Sequence, residues 1–179
     1  MIFTPLPLAG AYLIDLQRIE DERGFFARSF CQKEFTVQGL RTNVAQCNIS
    51  YNAKKGTLRG MHFQIPPKAE AKLVRCTRGS IYDVIIDMRP GSPTYCRWES
   101  VELSGADHQS LYIPEGFAHG FQTLVDNAEV FYQMFEFYSP DHVSGVRWDD
   151  PAFGISWPLP DPIVSDRDRS YTLYSVKQA

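Results

Sequence analysis

Ser80-Ile81-Tyr82-Asp83-Val84-Ile85-Ile86-Asp87-Met88 carries the clearest pattern in this chain. Tyr82, Val84, Ile86 and Met88 fall on one side, and Ile81, Asp83, Ile85 and Asp87 fall on the other. That is the period of two that a β-strand imposes. Gly79 and the run Pro90-Gly91-Ser92-Pro93 bound it as turns. Working outward, short runs of β-branched and aromatic residues recur between Gly, Pro, Asn and Asp. They predict strands over residues 10–19, 23–30 (after a turn at 20–22), 45–50, 57–65, 70–77, 95–103, 109–113 and 128–138, with a further strand opening at His119. One short helix is predicted over 33–39, stopped by Gly39. About ten strands with almost no helical periodicity imply an all-β sandwich or barrel.

The chain has 179 residues, enough for one ordinary domain with a full core. With no linker-like composition shift, residues 1–179 read as a single domain. From about residue 139 the sequence turns irregular and Pro-rich, ending in a short segment over 166–176, and is expected to wrap the barrel or a partner subunit. Hydrophobic residues at 44%, charged residues at 22% and a net charge of −3 fit a soluble globular protein and argue against non-specific nucleic-acid binding. Cys31, Cys47, Cys76 and Cys96 form no CxxC pair and read as reduced thiols of a cytoplasmic protein, three of them in strands. The proline-broken N-terminus lacks the basic start of a signal peptide, and no stretch reaches the roughly 20 apolar residues of a membrane helix.

Polar residues at regular places in otherwise apolar strands are costly unless they are used. His62 lies in Leu58-Arg59-Gly60-Met61-His62-Phe63-Gln64, with Gln64 on its face. Gln46 and Asn48 share a face upstream, and Lys72 follows downstream. A lone histidine is most often a hydrogen-bonded core residue; a cluster of this size points to a site. Arg59 has the wrong parity in a straight strand, and a bulge at Gly60 would bring it round. Pro114-x-Gly116-x-x-His119 resembles the second half of the cupin signature, the double-stranded β-helix or jelly roll. The first half wants His-x-His, and this chain has His62-Phe63-Gln64. With one imidazole missing and Lys72 bringing a cation, the expected barrel holds no metal and uses the ligand positions for acid–base chemistry.

Tyr132, if its hydroxyl faces that cavity opposite His62, would complete an acid–base pair. Epimerisation beside a carbonyl needs such a pair, one group removing the α proton and another returning it from the opposite side. Asp83 and Asp168 are carboxylates that could orient an imidazole, although a C-terminal loop aspartate such as Asp168 is ordinarily just solvated. Arg23, Arg59, Lys72 and His119 could hold a diphosphate, and Phe26 and Tyr138 could stack on a base.

Taken together, Asp21-Glu22-Arg23-Gly24-Phe25-Phe26, Gln46-x-Asn48, Leu58-Arg59-Gly60-x-His62-Phe63-Gln64, Lys72-Leu73-Val74-Arg75, Gly79-x-x-x-Asp83, Pro114-x-Gly116-Phe117-Ala118-His119-Gly120-Phe121, Glu129-x-x-Tyr132, Arg147-Trp148-Asp149-Asp150-Pro151 and Ser165-x-x-Asp168 resemble the dTDP-4-dehydrorhamnose 3,5-epimerase family over nearly the whole chain. The resemblance implies a cupin-like jelly-roll homodimer without metal or organic cofactor, acting on a nucleotide-linked 4-keto-6-deoxy sugar. It implies His62 as general base, Asp168 as its carboxylate partner, Tyr132 as the reprotonating acid and Lys72 beside the enolate oxygen, where a cation stabilises developing charge. Asp83 counts with this catalytic set. Arg59 and His119 resemble the diphosphate and sugar contacts. Arg23, Phe26, Gln46 and Asn48 resemble the nucleotide contacts, some of them reaching across the dimer.

Three positions depart from the family pattern. Arg28 stands where Glu is usual, Val143 where Glu is frequent, and Arg167 where Lys is. All three fall among nucleotide-contacting positions, so the chemistry is better supported than the nucleotide. The expected function is inversion of C3, with or without C5, of a nucleotide-linked 4-keto-6-deoxyhexose in deoxysugar or O-antigen-type polysaccharide synthesis. The alternatives are a C3-only epimerase of a CDP-linked sugar, a GDP-linked substrate, a non-catalytic cupin that binds a sugar nucleotide, and a metal-dependent cupin oxygenase.

Overall fold

The structure is a computed structural model that describes residues 1–175. The final residue of the predicted 166–176 segment lies outside the described residues. The strands are β1 (Ile2–Pro5), β2 (Tyr12–Asp15), β3 (Ile19–Asp21), β4 (Gly24–Phe26), β5 (Gln46–Asn52), β6 (Leu58–Gln64), β7 (Lys72–Arg78), β8 (Ser80–Asp87), β9 (Trp98–Ser104), β10 (Ser110–Ile113), β11 (Phe117–Thr123), β12 (Ala128–Met134) and β13 (Val143–Gly145). Two short α-helices, α1 (Gln32–Val37) and α2 (Asp166–Arg169), flank them. Six strands form one antiparallel sheet in the order β1-β2-β10-β7-β12-β5, and five form another in the order β13-β6-β11-β8-β9. The hairpin β3–β4 pairs only with itself. The two sheets pack face to face as a jelly roll.

The alternation in β8 explains the layering. Ile81 and Ile85 point between the sheets, where Val74, Leu111, Phe117, Phe121 and Val130 complete the main core. Val84, Ile86 and Met88 point the other way and are covered by Val146, Phe153, Ile155 and Trp157 of the C-terminal segment. The irregular C-terminal segment therefore wraps the back of the five-stranded sheet. On the outside of the other sheet, α1 lays Phe35, 0% exposed, against Ile14, Leu73 and Tyr112. The helix ends at Gln38, and Gly39 follows at φ +70, the left-handed conformation in which glycine pays no steric penalty.

The bounds differ from the sequence-based expectation mainly near the N-terminus. The predicted strand 10–19 is only Tyr12–Asp15, and Ile2–Pro5, where no strand is predicted, pairs with it. Pro5 sits at the end of an edge strand, where the missing N–H costs no ladder bond. The predicted strand 23–30 shrinks to Gly24–Phe26 because it has one partner only. The strand expected to open at His119 opens at Phe117. Cys96 lies outside the strands, just before β9 and at φ +60.

One irregularity positions the site. His62 pairs with His119 and Arg59 pairs with Phe121, so Gly60 and Met61 together oppose Gly120 alone. Two residues against one is a β-bulge, and it reverses the side-chain parity. Arg59 and His62 therefore reach the same cavity, as the bulge expected at Gly60 requires, while Leu58 and Gly60 do not. Gly60 has φ +131, and a Cβ there would sit 2.5 Å from the Gly120 Cα. The bulge needs both glycines.

Candidate active site

The inward faces of the two sheets leave a cavity of about 850 Å³. β6 contributes Arg59, His62 and Gln64, and β11 contributes His119. From the opposite sheet β12 contributes Tyr132, whose register partner on β5 is Asn48. Met134 pairs with Lys72 on one side and with Gln46 on the other, so all of these share the inward face. Tyr138, Val143 and Arg167 complete the rim. The expected face-sharing of Gln46 with Asn48, and of His62 with Gln64, is therefore what the sheets build.

Asp168 reaches this cavity from far along the chain. Ser165 caps α2, its hydroxyl oxygen accepting from the Asp168 N–H at 3.1 Å, and the cap turns the Asp168 side chain inward. Asp168 Oδ1 lies 2.7 Å from His62 Nε2, and Oδ2 accepts from the Gly60 N–H at 3.2 Å. Burial alone would push this carboxyl up. The hydrogen bond and charge of His62, the Gly60 amide and the Ser165 contact outweigh it and hold Asp168 below the usual carboxylate range. An ionised carboxylate only accepts, so a neutral His62 carries its proton on Nε2 and keeps Nδ1 as a free base. The half-buried imidazole is thus a base oriented by a buried anion.

A second imidazole–carboxylate pair lies alongside. His119 Nε2 is 2.8 Å from Asp83 Oδ1, and both residues are buried. Asp83 Oδ2 has no hydrogen-bond partner among the described residues. Burial, and after it the negative charge of Asp83, push the Tyr132 hydroxyl far above its ordinary range, against smaller opposing effects of Arg59 and Ser50. Tyr132 therefore keeps its proton at neutral pH and is available as a donor. Lys72 is buried; its ammonium donates to the His62 carbonyl oxygen at 3.1 Å and pairs with Glu70 Oε1 at 2.8 Å. A lysine has three donors, and these contacts occupy two of them.

Arg59 Nε donates to Asn52 Oδ1 at 2.7 Å, which fixes the guanidinium at the cavity wall. Gln46 Oε1 accepts from the Tyr138 N–H at 3.1 Å, which ties the rim together. The Arg167 guanidinium, raised in pKa first by Tyr171, lies within reach of the hydroxyls of Tyr171 and Tyr138. Within one chain the structure does not bring Arg23, Phe26 or Arg28 to the cavity. Arg23 is bound to Asp21 within the β3–β4 hairpin, and Phe26 on the same hairpin is 72% exposed. Arg28 pairs with Glu34 at 3.0 Å. Glu70 and Asn52 were missed, and Ser165, part of the Ser165-x-x-Asp168 motif, was not recognised as the cap that aims Asp168. Glu70-x-Lys72 has the spacing of same-face strand neighbours, which is the signal that would have found Glu70.

Among the described residues no three His, Cys, Asp or Glu side chains converge as a metal site would require. Each cavity imidazole is instead taken up by its own carboxylate. The model of the dTDP-4-dehydrorhamnose 3,5-epimerase family matches residues 5–175. The chain belongs to that family.

The epimerase is 44% identical over 171 residues to the dTDP-4-dehydrorhamnose 3,5-epimerase of Sinorhizobium fredii, covering 95% of this chain and 88% of the relative. It is similar to the crystal structure of the Bacillus anthracis dTDP-4-dehydrorhamnose 3,5-epimerase with TDP and PPi bound, at TM-score 0.92 and 44% identity, covering 97% of this chain and 99% of that one. It is also similar to ChmJ, a 3'-monoepimerase from Streptomyces bikiniensis in complex with dTDP-quinovose, at TM-score 0.87 and 33% identity, covering 94% and 86%. These relatives place the epimerase among the isomerases and its fold among the cupin-type jelly rolls. No helix of the described residues is long and apolar enough to cross a membrane.

Proposed function

We propose that the epimerase inverts C3 and C5 of a dTDP-linked 4-keto-6-deoxyhexose, in one catalytic unit formed by the whole chain. The observation that carries this is a base and an acid on opposite walls of one cavity. His62, oriented by Asp168, lies on β6, and the protonated Tyr132 lies on β12 of the facing sheet. His62 Nδ1 takes the proton α to the C4 ketone. The enolate oxygen develops beside the Lys72 ammonium, a buried cation that stabilises it and that Glu70 keeps in place. Tyr132 returns a proton from the other side of the ring, which inverts the centre. His119, held from behind by Asp83, and Arg59 meet the diphosphate, while Gln46, Asn48, Tyr138 and Arg167 meet the nucleoside.

The same reading gives Arg23 and Phe26 a place. The hairpin that carries them projects alone, with Ile19 67% and Phe26 72% exposed. On the outer face of the six-stranded sheet Ile49 is 65% exposed, and Arg75 stacks on Phe131 with its buried Nε lacking a partner among the described residues. Such surface is what a second copy covers. In a homodimer the hairpin of each copy would close the nucleotide end of the other's cavity. Soluble sugar-nucleotide chemistry with four free thiols suits the cytoplasm. The test is incubation with dTDP-4-keto-6-deoxyglucose in D₂O, followed by NMR. Deuterium at C3 and C5 with inverted product supports the proposal. Deuterium at C3 alone assigns it to single-centre inversion, and turnover only of a CDP-linked sugar would overturn the nucleotide assignment.

A further inference from the structure

Gly145 of β13 is the register partner of His62 on β6. Directly paired residues of an antiparallel ladder project to the same face, so a side chain at 145 would stand beside the imidazole. Glycine leaves that place open, and Tyr171 fills it. A Cβ on Gly145 would collide with Tyr171 Cζ and lie 2.7 Å from its Cε2. The Tyr171 ring centroid is 6.0 Å from that of His62, with the rings tilted by 56°, an attractive geometry for two aromatic rings. The segment that presents Asp168 to Nε2 thus also presents an aromatic ring to the flank of the same imidazole.

We infer that Tyr171 is a positioning residue for His62: its ring replaces the missing cross-strand side chain and keeps the imidazole aligned with Asp168, so that Nδ1 stays the free base. This rests on the proposed role of His62 as base. The phenol oxygen is a separate matter, because it approaches Arg167 and not His62. The ring alone is what the inference requires, and Tyr171→Phe keeps the ring.

The test compares the parent enzyme with Tyr171→Ala, Tyr171→Phe and Gly145→Ala. One readout is the rate of solvent deuterium entry into the substrate; the other is ¹⁵N NMR of the His62 imidazole, assigned by its loss in His62→Asn. Tyr171→Ala should slow exchange by about tenfold or more and Tyr171→Phe by no more than about threefold, the scale expected for a misaligned catalytic group. The His62 signals should report the Nε2–H tautomer in the parent and in Tyr171→Phe, and a tautomer mixture in Tyr171→Ala. Gly145→Ala, whose methyl displaces the ring, should behave like Tyr171→Ala. Parent-like exchange and tautomer in Tyr171→Ala would overturn the inference. So would a Tyr171→Phe as slow as Tyr171→Ala, which would move the role to the hydroxyl. If Tyr171→Ala does not fold, Tyr171→Leu is read against Tyr171→Phe by the same two measurements. A parent that shows no exchange at all would sink the proposed reaction, while the tautomer comparison would still decide the role of Tyr171.

Discussion

Asp168 and His62 stand 106 residues apart in the chain, yet Asp168 Oδ1 and His62 Nε2 are 2.7 Å apart. The single-turn helix α2, capped by Ser165 near the C-terminus, brings a buried anion to an imidazole in the middle of a sheet. If that anion orients the base, Asp168→Asn should lower kcat by about 10²- to 10⁴-fold, the usual worth of a working acid–base group. Nucleotide binding, measured by calorimetry with dTDP, should change little. A drop confined to binding would assign Asp168 to the nucleotide site.

The bulge on β6 makes a separate claim. Gly60→Ala adds a methyl 2.5 Å from the Gly120 Cα at a backbone φ of +131. Strain of this kind costs about 1–3 kcal/mol. A urea melt should show that loss, and exchange activity should fall because Arg59 and His62 no longer share the cavity. A variant with unchanged stability and activity would mean that the parity reversal at Gly60 is not what places Arg59.

Acid stability follows from Asp87, 0% exposed, on the face of β8 opposite Ile86. Burial opposes its charge, but donation from Arg89, Ser92 and Thr94 holds its pKa down at about 2, against an ordinary 3.8. A depressed carboxyl stabilises the fold above its unfolded pKa and stops doing so as pH falls through the folded value. About 2 kcal/mol should therefore disappear between roughly pH 4 and pH 2. Asp87→Asn should be less stable than the parent at neutral pH and should show a flatter curve across that interval. Equal acid limbs in the two proteins would remove Asp87 as the cause.

The homodimer can be tested by complementation. His62→Asn has an intact hairpin and no base; a chain with Arg23→Ala and Phe26→Ala has the base and a disabled hairpin. If the hairpin serves the other copy, each is inactive alone, and an equal mixture refolded together should recover about a quarter of the parent activity, from one competent site in each hybrid pair. No recovery, with hybrids formed, would mean that the hairpin works in cis or not at all.

The sequence made the architecture and most of the cavity legible for a physical reason. Period-two alternation shows where the strands run and which residues share a face, and polar residues on the apolar faces, His62, Lys72 and Asp83 among them, stand out because burial makes them costly. Asp168 stood out only through family resemblance, since nothing local distinguishes a buried C-terminal aspartate from a solvated one; its burial is a tertiary event. Glu70 and Tyr171 were missed for related reasons. Glu70 heads the predicted strand 70–77, where a charged residue reads as a solvated strand end until its buried pairing with Lys72 is known, and Tyr171 acts where Gly145 has no side chain, a vacancy visible only once the register of β13 on β6 is known. The strand ends misjudged near residues 10–30 belong to β2, whose partners β1 and β10 are themselves only four residues long, and to a hairpin that pairs only with itself.

The most direct measurement is proton exchange in D₂O with dTDP-4-keto-6-deoxyglucose, comparing the parent, His62→Asn and Tyr132→Phe by NMR. The parent should incorporate deuterium and yield epimer, His62→Asn should incorporate none at either C3 or C5, and Tyr132→Phe should still exchange but form no epimer. Exchange that persists in His62→Asn would contradict the assignment of His62 as the base.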